Sequence, residues 1–208
     1  NQQSSPIAAL IEKVTNSIDA ILTKKCLEAG IDPKSPEAPR SIKEAVERFF
    51  HSKDWDISSQ RRKQALNLQI LADGPKRDNS VIIYDNGEGQ RPENFERTFL
   101  SLLRGNKNEI HFVQGKYNMG GSGAIVFCGK MVYQLIASKR VDGGEFGFTL
   151  VREHPLSKEE QKTKKNTWYE YLVIEGQIPS FPIKDLDLGL FKRPFQTGTI
   201  IKLYSYQF

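Results

Sequence analysis

The chain has 208 residues, 38% hydrophobic and 26% charged, the composition of an ordinary globular protein with room for one domain and a proper core. Its longest apolar runs, Val81 to Tyr84 and Ala124 to Cys128, fall far short of the roughly 20 residues a membrane helix needs. Asn1 to Leu10 lacks the basic, apolar and small-residue regions of a secretory signal, so no membrane partner is expected. The formal charge of +5 favours an anionic partner. Cys26 and Cys128, with no His or Cys at ligand spacing, argue against a zinc site and for a reducing, cytoplasmic setting.

In chain order, Ser5-Pro6 is a helix start, and Ile7, Leu10, Ile11, Val14, Ile18, Ile21 and Leu22 recur at helical spacing as far as Lys24-Lys25 and Gly30. Asp32 to Arg40, with three prolines, reads as loop. Ser41 and Glu44 form a capping box for a second helix with Ala45, Val46, Phe49 and Phe50 on one face. Leu66, Leu68, Ile70 and Ala72 alternate with mostly polar residues, and Val81 to Tyr84 resumes as a buried strand, a hairpin ending at Asp85. A third helix is expected from Pro92 through Phe95, Phe99, Leu102 and Leu103, and a further one at Ala124 to Phe127 after a glycine- and asparagine-rich stretch from Gly105 to Gly123. Met131 to Ala137, Phe146 to Val151, Trp168 to Ile174 and Thr199 to Tyr204 read as strands. Lys158 to Lys165 reads as a solvated loop. Helices first and strands later predict a single α+β domain over 1–208, a two-layer α/β sandwich with helices on one face of a mainly antiparallel sheet.

Three segments carry chemistry. On the first helix Glu12, Asn16 and Asp19 emerge from one face, while Val14, Ile18 and Ile21 are expected on the core side. A carboxylate there can polarise a water beside a γ-phosphate, and an amide oxygen can coordinate the Mg²⁺ that bridges phosphates. Asp85 stands at a strand end before Asn86-Gly87-Glu88-Gly89, where a carboxylate can accept from an exocyclic amine and Gly87 and Gly89 let backbone approach a flat ring. Gly115 through Gly123 runs into the expected helix at Ala124, so free N–H groups can cradle phosphates; without a G-K-[S/T] ending it is not a P-loop. Each segment also has an ordinary reading: a solvated amphipathic helix, a D-N-G turn and a flexible glycine linker. Their order and spacing favour a nucleotide site.

The set resembles the GHKL superfamily of ATPases, which includes gyrase B subunits, mismatch-repair ATPases, dimeric heat-shock chaperones, microrchidia ATPases and histidine kinases. The family pattern E-x-x-x-N-x-x-D-A is met by Glu12, Asn16, Asp19 and Ala20, and D-x-G-x-G by Asp85, Gly87 and Gly89. The third box is met more loosely by Gly120, Gly121, Ser122 and Gly123, and Gly198-Thr199 resembles the family's late-strand threonine. The resemblance implies the Bergerat ATP-binding fold with a mixed sheet and an ATP- and Mg²⁺-dependent hydrolase. In it Glu12 is general base, Asn16 magnesium ligand and Asp85 adenine anchor, with Asp19 and Thr199 also at the nucleotide. A lid over about 90–118 would bring Lys107, or Arg104 or Lys116, to the phosphates. The same resemblance implies a homodimer within a larger protein, with DNA or a DNA-associated protein as a further partner. Glu12 favours hydrolysis over a histidine-kinase-type domain, and His51, His111 and His154 are expected to be isolated. A non-catalytic nucleotide-sensing module is the alternative. The stretch from about Ile31 to Lys63, containing Trp55, reads as a family-specific insertion.

Overall fold

Local signals place the helices. In the computed structural model, which describes residues 5–51, 62–100, 123–129, 132–163 and 169–208, Ser5 Oγ accepts from the Ala8 N–H at 3.2 Å and Pro6 takes the first helical position of α1, Pro6–Glu28. The helix closes at Gly30, whose φ of 73° suits glycine. At α2, Ile42–Phe50, Ser41 Oγ accepts from Glu44 N–H at 3.1 Å, and the Glu44 carboxylate reaches back to the Arg40 N–H at 3.0 Å. Ala45 of α2 and Ala38 before it bury against Leu22 and Cys26, so the described part of the 31–63 insertion covers the second half of α1. Trp55 lies outside the described residues.

β1, Leu68–Asp73, and β2, Ser80–Asp85, form the expected hairpin, in register from Leu68 opposite Asp85 to Asp73 opposite Ser80. The remaining strands are β3, Tyr133–Lys139; β4, Phe146–Glu153; β5, Tyr169–Tyr171; β6, Ser180–Phe181; and β7, Gly198–Leu203. A four-residue helix, α3, Glu160–Thr163, stands where a loop was expected; Ser157 and Glu160 cap it reciprocally. The strand order is β1-β2-β7-β3-β4-β5, with β6 beside β4, and every pairing is antiparallel. The last strand therefore enters between the second and third.

Side chains alternate across this sheet. Val81, Ile83 and Leu203 point to one face, where Ala9 of α1 and the Ala124, Ile125 and Cys128 turn close over them. Tyr84, Ile200 and Ala137 point to the other, where Phe146, Leu190 and Phe195 complete the core. That second face is covered by irregular chain, including Ile183 and Leu186.

The expected two-layer α/β sandwich does not form. The structure is dominated by a seven-stranded, wholly antiparallel sheet rather than a mixed one, with α1 and α2 the only helices longer than one turn among the described residues. The helix expected after Pro92 is a single 3-10 turn, Pro92–Asn94, followed by irregular turns, and the one expected at Ala124 is a 3-10 turn, Ile125–Phe127. Phe95 and Ile125 are buried without a regular helix, which gives the reason: their apolar spacing records burial, and burial does not require a helix. One helix and a tight turn stand on the face where a layer of helices was expected, and irregular chain covers the opposite face. No described helix is long and apolar enough to cross a membrane.

Candidate functional site

The rotation of α1 differs from the expected one. Ile21 is buried and Val14 half-buried, but Ile18 is 40% exposed, while Lys13 and Asp19 are inside. Burial lowers the Lys13 ammonium to about 8, with the Glu12 carboxylate opposing that shift. Glu12 and Asn16 are half-buried between these extremes, and Ala20 lies beneath the loop that follows β2. Eight residues of helix separate Glu12 from Ala20, a rise of about 12 Å.

That loop is pinned from three sides. The Glu88 N–H donates to the Ala20 carbonyl of α1 at 3.0 Å, the Val141 N–H donates to the Glu88 carbonyl at 2.8 Å, and Arg140 pairs with the Glu88 carboxylate at 2.7 Å. Both glycines of the loop are packed closely against protein. A Cβ on Gly87 would lie 2.5 Å from that of Ala20, and one on Gly89, whose φ is 65°, would lie 1.9 Å from the Lys139 carbonyl oxygen.

Register then builds a polar row. Leu68, Asp85, Thr199, Ser138 and Gly147 stand opposite one another on successive strands, on the face toward α1. Asp85 is 5% exposed, Thr199 6% and Ser138 0%. Asp85 Oδ1 accepts from the Gly87 N–H at 3.0 Å, which orients the carboxylate. At the far end of the row Gly147 leaves room for Pro92, whose Cγ would be 2.7 Å from an added Cβ. Asp85 and Thr199, far apart in the sequence, are thus neighbours.

Sequence reasoning missed the residues that hold this row in place. Lys24 Nζ donates to Asn86 Oδ1 at 2.8 Å and to Thr197 Oγ1 at 2.9 Å, tying α1 to the chain just after Asp85 and just before Thr199. Burial lowers the Lys24 ammonium, with the Glu28 carboxylate opposing it. Nothing in a Lys-Lys pair at a helix end signals such a clamp. Ser138, next to last in β3 and one residue past the end of the strand expected at Met131 to Ala137, carried no such signal either. Replacing Lys24 by Met takes the cationic donor from two half-buried oxygens and is expected to cost about 2 kcal/mol. Thermal unfolding should then shift down by about 4 to 8 °C; an unchanged midpoint would show the clamp to be idle.

The third segment meets α1 at its other end. Gly123 is half-buried, and Ala124 and Ile125 share a core with Ala9, one turn before Lys13. The turn they enter is three residues long, too short for a helix-end anion site of the kind expected. Lys107, Gly120, Gly121 and Ser122 lie outside the described residues, as do Arg104, Lys116, His111 and the lid beyond residue 100. His154 is not isolated: its ring nitrogens lie 3.0 Å from Glu170 and 3.3 Å from Glu160, joining α3 to β5. A separate cleft of about 700 Å³ opens at the opposite end of β7, between Phe127, Tyr133 and Tyr204.

Among the described residues no group of three or more His, Cys, Asp or Glu gathers to hold a metal ion. Both cysteines are free and buried; burial pushes the Cys128 thiol up to about 12, with Lys13 opposing it. The sequence matches no family model, and no curated protein matches it.

Proposed function

We propose that the chain is an ATP-binding, ATP-hydrolysing module that drives a conformational or dimerisation cycle in a larger protein. One observation carries the reading: α1 joins the segments that the sequence singled out. Its Ala20 end lies against the Asp85 to Gly89 loop, its Ala9 end against the residues following the glycine segment, and Glu12 and Asn16 stand between. The reading rests on this placement of residues and not on the overall fold.

The residues fit such a ligand. Asp85 offers a buried carboxylate oriented by the Gly87 N–H, and Thr199 adds a hydroxyl beside it, a pair suited to an amino-bearing ring. Asn16 supplies one hard oxygen, and a magnesium ion held by a single protein ligand takes most of its coordination from phosphates and water. Mg-ATP, when bound, supplies the transferable phosphoryl group and the ion that neutralises its charge. Asp85 and Thr199 hold the base, the Lys24 clamp keeps both strand ends in register, and the Glu12 carboxylate orients a water and takes its proton. Dimerisation, a DNA-associated partner and a cytoplasmic location belong to the same reading; the basic net charge and the two free cysteines support the last two.

Calorimetric titration with a non-hydrolysable ATP analogue and Mg²⁺ tests it. Binding is expected, and Asp85→Asn, which keeps an oxygen for the Gly87 N–H, is expected to weaken it about 10- to 100-fold by removing a charge-assisted bond. A parent protein that binds no nucleotide, or a variant that binds as tightly, would overturn the assignment.

A further inference from the structure

His154, the residue after β4, stands between two carboxylates. Its Nδ1 lies 3.0 Å from Glu170 Oε2 on β5, and its Nε2 lies 3.3 Å from Glu160 Oε2 on α3. A neutral imidazole has one N–H and one lone pair, so it satisfies one of these neighbours and turns a lone pair toward the other; the imidazolium donates to both. The arrangement therefore selects the cation. The hydrogen bond to Glu170 raises the His154 imidazole above the ordinary histidine value, desolvation opposes that shift, and Glu160 adds to it.

The charged groups that the described residues bring to the ring are Glu170 from β5 and Glu160 from α3, with Arg152 of β4 beyond Glu170. Arg152 Nε lies 2.5 Å from Glu170 Oε1, the oxygen that His154 does not use. The Ser157 N–H shares Glu160 Oε2 at 3.0 Å. Few other forces hold α3 to the sheet. None of its residues is buried, and a single helical turn has little stability of its own in water. Every other hydrogen bond described for residues 156–163 joins two residues of that segment. When the ring loses a proton, the shorter contact keeps the remaining N–H at Nδ1, and the Nε2 lone pair is left facing the Glu160 carboxylate.

We propose that His154 is a pH-sensitive latch: as the imidazolium it ties α3 to the edge strand β5, and as the neutral ring it releases α3 from the sheet. The inference is independent of the nucleotide reading. Because the value in the folded protein is raised, the latch is closed below about pH 6.5, the ordinary histidine value, and opens as pH rises through the higher one.

An NMR titration of the chain across the histidine range follows the His154 ring protons and the backbone amides of residues 157–163 together. The ring is expected to titrate above the ordinary histidine value. The α3 amides should shift with the same midpoint, and their order parameters should fall above it. Glu160→Gln keeps an oxygen for the Ser157 N–H and gives the ring a neutral neighbour in both states, so the midpoint should drop and the α3 response shrink. His154→Gln has no proton to lose and should leave α3 indifferent to pH over the same range. A ring that titrates at or below the ordinary value, or one whose midpoint Glu160→Gln leaves unmoved, would overturn the latch. So would α3 amides that do not follow the ring, or a response that survives in His154→Gln.

Discussion

Replacing Gly198 by Ala is expected to cost about 4 kcal/mol or more and to lower the unfolding midpoint by about 8 to 16 °C. Its φ of 106° is one that L side chains rarely adopt, and an added Cβ would stand 1.9 Å from the Asp85 carbonyl oxygen and 3.0 Å from Asn86 Cα. The obstruction is backbone on the neighbouring strand, so relief requires β2 and β7 to separate at the point where Asp85 faces Thr199. Gly176→Ala is the matched control: its φ is 77°, yet nothing lies within 4 Å of the added atom, so the substitution adds only backbone strain of about 1 kcal/mol. Thermal melts of the two variants separate the effects, and equal midpoints would refute the close approach of β2 and β7.

Glu12→Gln is expected to slow ATP hydrolysis by about 10²- to 10⁴-fold, the usual contribution of a positioned general base, while leaving nucleotide affinity within about threefold of the parent. The amide keeps the shape of a half-buried side chain on α1 and removes only its capacity to take a proton. Phosphate release from the longest protein containing this chain is the measurement. Turnover unchanged by the substitution would exclude Glu12 as the base, and tight nucleotide binding with no turnover in the parent would favour a nucleotide-sensing module.

The two structural lessons concern α1 and β7. The helix was legible because its signals are local: a Ser-Pro start, sustained apolar spacing and a terminal glycine act within a few residues of one another. Its rotation was not, because many apolar residues surround the helix and composition alone does not choose among the possible faces. The neighbours chose: α2 covers Leu22 and Cys26, the β2 loop covers Ala20, and Ile18 is left outside. The same ambiguity misread Pro92 to Phe99 and Ala124 to Phe127, where apolar residues spaced for a helix bury themselves from tight turns.

What the sequence by itself determined is the set of local elements and candidate groups: α1 with Glu12 and Asn16, the capped α2, the β1–β2 hairpin and the carboxylate of Asp85 at its end. Caps, periodicity and turn chemistry suffice for these because each is settled over a few residues of chain. Only the tertiary structure decided that β7 inserts between β2 and β3, that Thr199 and Ser138 extend a row begun by Asp85, and that Lys24 clamps both strand ends. Those are pairings across 60 to 173 positions of chain, chosen by the burial of whole faces at once, and no short window of residues encodes them.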